Sequence, residues 1–147
     1  MQPRLSLVTL GVSDLGASRR FYEALGFRAS SASQGDVVFF QLAGGGVLAL
    51  WLRHLLAEDA RIADGGGAFG DRPFGGFALA HNVRSEAEVD AVLAEAACAG
   101  ARILKAAAKA FWGGYSGYFA DPDGHPWEVV HAPMFTLDAD GRLALPP

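Results

Sequence analysis

One order of elements, a strand, a helix and then three strands, is written twice along these 147 residues, and that echo constrains the fold more than any single motif. The first pass opens with residues 5–12, aliphatic and β-branched, which read as a strand running into Ser13-Asp14. Asp14 is the expected helix N-cap. Behind it Leu15, Ser18, Phe21, Tyr22 and Leu25 recur at helical spacing as far as Gly26, a residue suited to the left-handed turn that ends a helix. Residues 27–31, 36–42 and 47–52 then read as strands, the last two closed into a hairpin by Ala43-Gly44-Gly45-Gly46.

The second pass starts with a strand over residues 77–83. Ser85-Glu86-Ala87-Glu88 matches the S-x-x-E capping box, and Val89, Val92, Leu93, Ala96 and Ala97 form the core stripe of a helix that stops at Gly100. Cys98 lies in this Ala-rich pattern and reads as a small core residue. Strands over 101–105, 116–120 and 126–131 follow, with a type I turn at Asp121-Pro122-Asp123-Gly124. Details repeat as well: Leu25-Gly26-Phe27 echoes Ala99-Gly100-Ala101, and Phe39-Phe40 precedes Gly45 at the offset by which Tyr118-Phe119 precedes Gly124. The expected class is therefore α+β, one domain over 1–147 built of two tandem βαβββ modules. The first spans about 4–54, the second about 76–132. Between them lies a linker of about 55–75, with a short helix near 55–62 and then Gly65-Gly66-Gly67 and Gly70-Asp71-Arg72-Pro73; a tail, 133–147, follows. A helix covers one face of each sheet. The other, concave face is expected to turn toward its counterpart in the same chain or in a second chain, and to enclose a cavity.

Composition removes several functional classes. With 51% hydrophobic and 19% charged residues the chain is not a disordered one. Its 12 Lys+Arg against 16 Asp+Glu give a net charge of -4 with no basic run, so nucleic acid is not an expected partner. The longest apolar stretches, such as 47–52, fall far short of the roughly 20 residues that span a bilayer, so no membrane segment is expected. The single cysteine excludes an intrachain disulfide and a thiolate metal cluster. No charged and then apolar leader opens the sequence, which makes the cytoplasm the expected location.

The stretches LGVSDLGASRRFYEALGF and GYFADPDGHPWEVVH resemble the vicinal-oxygen-chelate superfamily, which includes glyoxalase I, bleomycin-resistance proteins and extradiol dioxygenases. The resemblance covers roughly residues 5–131. It implies the paired βαβββ fold, assembly as a homodimer, and one divalent metal held from equivalent positions on the first and last strand of each module. Carried over residue by residue, the first-strand ligands fall at Leu7 and Phe77, and the last-strand ligands at Ala49 and Glu128. Three of these side chains carry no donor atom, whereas a catalytic ion takes about three protein ligands. A shift of one residue at Leu7 or Phe77 supplies only Ser6, Val8, Gly76 or Ala78. No metal and no other cofactor is therefore expected.

Among other polar residues, His81 shares the strand face of Phe77 and is expected to reach the cavity, although a rise of ~3.3 Å per residue puts it about 13 Å along the strand. A site from His81 and Glu128 alone has too few ligands. His131, an odd step from Glu128, points to the opposite face, as does Trp127, which is left to the core. Glu128 has two readings: a carboxylate paired with an arginine or a tyrosine hydroxyl that anchors its strand, or a group that holds or protonates a substrate. The segment 111–119 alternates aromatics with glycine. Tyr118 and Phe119 read mainly as strand core, while Trp112 and Tyr115 precede the strand and read as pocket rim. With Asn82, Phe77, Leu7 and Ala49 they would line a site for a small organic ligand, Glu128 and His81 being the catalytic candidates. The expected function is a small-molecule-binding protein of the bleomycin-resistance type. The alternative is a lyase, isomerase or dioxygenase-like enzyme, metal-independent or with an atypical metal, that uses Glu128 and His81.

Overall fold

The computed structural model describes residues 1–65 and 74–145, so Gly66, Gly67 and the Gly70-Asp71-Arg72-Pro73 stretch of the linker lie outside the described residues. The chain divides into two compact units, Met1–Pro73 and Phe74–Pro147. Both are α+β with mixed sheets.

The first unit contains β1 (Leu7–Val12), α1 (Leu15–Ala24), β2 (Val37–Gln41), β3 (Val47–Leu52) and α2 (Arg53–Ala60). Asp14 caps α1 as expected: its side chain accepts from the Ala17 N–H at 2.9 Å. The sheet order is β1-β3-β2, with β1 parallel and β2 antiparallel to the central β3. Pairing sets Leu10, Leu50 and Val38 on one face beside Val12, Leu48 and Phe40, all buried together with Phe21 and Tyr22 of α1. The Tyr22 ring lies 5.3 Å from Phe27 and 5.9 Å from Phe40, and each large side chain so buried contributes roughly 1.5–3 kcal/mol. The strand expected over 27–31 is reduced to one bridge, Ala29 to Phe40. Serine side chains compete for the backbone there: the Ser30 and Ser33 hydroxyls accept from the Ala32 and Phe39 N–H groups.

The second unit contains β4 (Leu79–Asn82), α3 (Glu86–Cys98), β5 (Arg102–Lys109), β6 (Tyr115–Ala120), β7 (Pro126–His131) and a small hairpin, β8 (Thr136–Leu137) with β9 (Leu143–Ala144). Ser85 caps α3 by accepting from Glu88 N–H at 3.2 Å, while the Glu88 carboxylate takes the Arg84 N–H, one residue before the cap. The main sheet runs β4-β7-β6-β5. Val89, Leu93 and Ala96 of α3 are buried with Phe119 and Val129, and the Trp127 ring stacks on Phe119 at 6.2 Å. Cys98 and Ala97, expected in this core, are exposed, because they fall past the edge of the stripe that faces the sheet. Close approach decides Gly117: a Cβ there would meet Leu93 Cδ1 at 2.6 Å and the Lys105 carbonyl at 2.9 Å, where β5 shifts register.

Candidate functional site

Four residues stand in a row across the second sheet. Lys105 of β5 pairs with Tyr118 of β6, Tyr118 with Glu128 of β7, and Glu128 with Ala80 of β4. Directly opposed residues project to the same face of a pleated sheet, so this row belongs to one surface. The Tyr118 phenol faces the Glu128 carboxylate across the β6–β7 pair. Lys105 Nζ lies 5.7 Å from the centroid of the Tyr118 ring. Desolvation first, and then hydrogen bonding and charge from Glu128, push the Tyr118 phenol above its ordinary value of 10.0.

Beside this row lies a cavity of about 430 Å³, contained in the second unit. Its floor is Ala80, Asn82, Glu128 and Val130, alternate residues of β4 and β7; Trp112 enters from the β5–β6 turn, and Met134, Phe135 and Leu143 come from the tail. One carboxylate and one carboxamide thus face a wall that is otherwise apolar. A neighbouring cavity of about 320 Å³ shares Asn82, Ala132, Phe135 and Leu143 and adds Arg84 and His131. The larger one holds the carboxylate and is the better candidate for a ligand.

Asn82, Trp112 and Glu128 are thus brought together, and the other candidates are not. His81 pairs with Val129, which places it on the face opposite Glu128. The sequence expectation that it reaches the cavity is corrected by this register. Its side chain is solvent-accessible, yet enough protein surrounds the ring to lower its pKa from 6.5, an effect that the Glu88 charge opposes. Tyr115 is not a rim residue in a loop: it opens β6 on the α3 side, and its hydroxyl donates to Asp90 at 3.0 Å. That hydrogen bond is the leading cause of its raised pKa. Phe77 lies two residues ahead of β4, exposed, with its ring 6.2 Å from His125. Leu7 and Ala49 belong to the first unit, on one face of its sheet, Leu7 opposite Val47 and Ala49 opposite Thr9 and Phe39. His131 Nδ1 approaches the Val83 carbonyl at 3.3 Å, and His125 Nδ1 lies 2.9 Å from the buried Asp121 carboxylate.

The residues at the positions where the resemblance implies metal ligands do not fit a metal. Leu7, Ala49 and Phe77 offer hydrocarbon, which leaves Glu128 as the one donor among the four. Among the described residues no group of three or more His, Cys, Asp or Glu side chains is arranged to hold an ion. Tyr118, Lys105, Met134, Phe135 and Leu143 are site residues that sequence reasoning missed. The one available signal for Met134 and Phe135 was their adjacency as large apolar residues in a segment otherwise rich in turn formers.

The profile of the Glyoxalase/Bleomycin resistance protein/Dioxygenase superfamily matches residues 4–129. Among solved structures, a glyoxalase-related enzyme from Fulvimarina pelagi is similar at 38% identity and a TM-score of 0.84, over 97% of this chain and 98% of that one. A protein from Agrobacterium tumefaciens, known from a solution structure, is similar at 32% identity and a TM-score of 0.68, over 88% and 98% of the two chains. Lactoylglutathione lyase from Agrobacterium tumefaciens shares the fold, with 22% identity, a TM-score of 0.63, and coverage of 90% and 96%. No curated protein matches the sequence.

Proposed function

The chain belongs to the glyoxalase/bleomycin resistance protein/dioxygenase superfamily, and from that membership we propose that it binds a small organic molecule in the cavity of its second unit, without the usual metal. The observation that carries this is one carboxylate, Glu128, in a largely apolar cavity that an indole also lines. A volume of about 430 Å³ falls in the range of small-molecule sites. A guest with a flat apolar body and one positive or hydrogen-bond-donating group matches these walls, since a charge-assisted bond to Glu128 strengthens where water is excluded. The homodimer belongs to the same reading and rests on the family habit.

Isothermal titration with a panel of small aryl and alkyl amines, each beside its neutral counterpart, tests this. The expected outcome is saturable binding that prefers the amines. Glu128→Gln, which keeps shape and a hydrogen-bond acceptor, should weaken the amines about 10- to 100-fold, the worth of about 1.5–3 kcal/mol for a bond to a charged group. Absence of saturable binding across the panel rejects the reading.

A second, catalytic reading has its own support: the Fulvimarina relative is described as an enzyme, and the register sets the Tyr118 phenol beside the Glu128 carboxylate. Turnover that survives a chelator and is lost in Glu128→Gln would favour it over binding alone.

A further inference from the structure

The turn between β5 and β6 contains two adjacent glycines that differ in what a side chain there would meet. Gly113 has φ +93, a conformation strained for any other residue, and its N–H closes the turn on the Ala110 carbonyl at 3.0 Å. Gly114 is not in the left-handed region, and its own carbonyl accepts from Ala110 N–H at 2.8 Å. What marks Gly114 is occupancy: the place of a Cβ is already filled by the Trp112 ring, with Cζ3 at 1.7 Å, Cη2 at 1.9 Å and Cε3 at 2.8 Å. The same Trp112 forms a wall of the cavity that bears Glu128.

We propose that Gly114 is a specificity-determining position that acts through Trp112: the bare α-carbon is the seat of the indole, and the seated indole selects flat guests for the cavity. The proposal rests on that cavity being the ligand site. Any side chain at 114 overlaps the far end of a side chain that can rotate, not a backbone atom, so the chain responds by swinging the indole away and keeps its fold. An aromatic guest then loses its stacking partner, while an aliphatic guest of equal charge and size loses little. Gly114 is thus a positioning residue, and discrimination between flat and puckered rings is the property that it controls.

Benzylamine and cyclohexylmethylamine, equal in charge and close in size, are the probes, titrated into the full chain carrying 5-fluorotryptophan, with the Trp112 resonance assigned by Trp112→Phe. Wild-type protein should favour benzylamine. In Gly114→Ala the Trp112 fluorine resonance should move, benzylamine affinity should fall about tenfold and cyclohexylmethylamine affinity by less than about twofold, as expected from loss of an aromatic contact. Trp112→Ala should show the same loss of preference, and the double variant should be no worse, because residues that act as one unit are not additive. Trp112→Ala also tests the selective wall if Gly114→Ala fails to fold. An unmoved Trp112 resonance, an equal loss for both amines, or a further loss from Gly114→Ala in the Trp112→Ala background each overturns the proposal. Equal binding of the two amines by the wild type overturns it too but leaves the cavity as the ligand site; binding of neither rejects both.

Discussion

Glu128 faces the Tyr118 phenol from the neighbouring strand, and burial first and then this carboxylate favour the protonated phenol. The raised Tyr118 pKa has a definite sign in stability. A phenol whose pKa is higher in the folded chain than the ordinary 10.0 favours folding fully below pH 10, and that contribution is lost as pH rises through the folded value. Ultraviolet phenolate titration, differenced against Tyr118→Phe because Tyr115 is raised as well, should show Tyr118 ionising above 10, and Glu128→Gln should bring it back toward 10. Ionisation at the ordinary value in the wild type rejects the pairing. The sequence offers an arginine or a tyrosine hydroxyl as a neighbour for Glu128, and the register is what sets Tyr118 opposite it. Alternation tells which residues of one strand share a face; it does not tell which face of the next strand they match. The parallel register of Ala80 with Glu128 sends His81 to the α3 side and Asn82 to the cavity, and no local pattern in residues 77–83 encodes that register.

At the scale of elements, the small C-terminal hairpin matters most to the site, since Met134, Phe135 and Leu143 close one side of the cavity. Two-residue strands do not persist alone in water. Their turn is capped by the Asp138 carboxylate, which accepts from Asp140 N–H at 2.9 Å and Arg142 N–H at 2.8 Å. The Arg84 guanidinium then ties the hairpin to the body of the unit by donating to the Leu137 carbonyl at 3.2 Å and to the Asp138 carbonyl. In Arg84→Ala the backbone amides of residues 137–143 should exchange with deuterium about tenfold faster, equivalent to about 1.4 kcal/mol of local opening, while the α3 amides keep their rates. Unchanged hairpin amides would deny Arg84 this role. Elements with chemical punctuation were readable from sequence: Asp14 and Ser85 start their helices and residues 126–131 form β7. The segment 27–31 was not, because its apolar residues suggest a strand while its serines satisfy the backbone locally. Nor was the extent of β5, whose residues 106–108 are alanines without a periodic signal.

At the scale of the whole molecule the chain keeps a family fold while three of the four positions implied for its metal have lost their donors: Leu7, Ala49 and Phe77 beside Glu128. One half-buried carboxylate holds a divalent ion weakly and sets no geometry. The consequence is that ligand binding should not depend on an ion. Native mass spectrometry of untagged protein, before and after a chelator, should show a dimer without a stoichiometric divalent ion, and benzylamine affinity should stay within about twofold, because removing an ion that makes no contact changes no binding free energy. A stoichiometric ion whose removal weakens the amine by tenfold or more would mean that donors other than these four build a centre, and would return the chain to the metal-dependent members of its family. Organic mass carried through purification would narrow the guest directly, since a retained ligand must satisfy both the Glu128 carboxylate and the Trp112 wall.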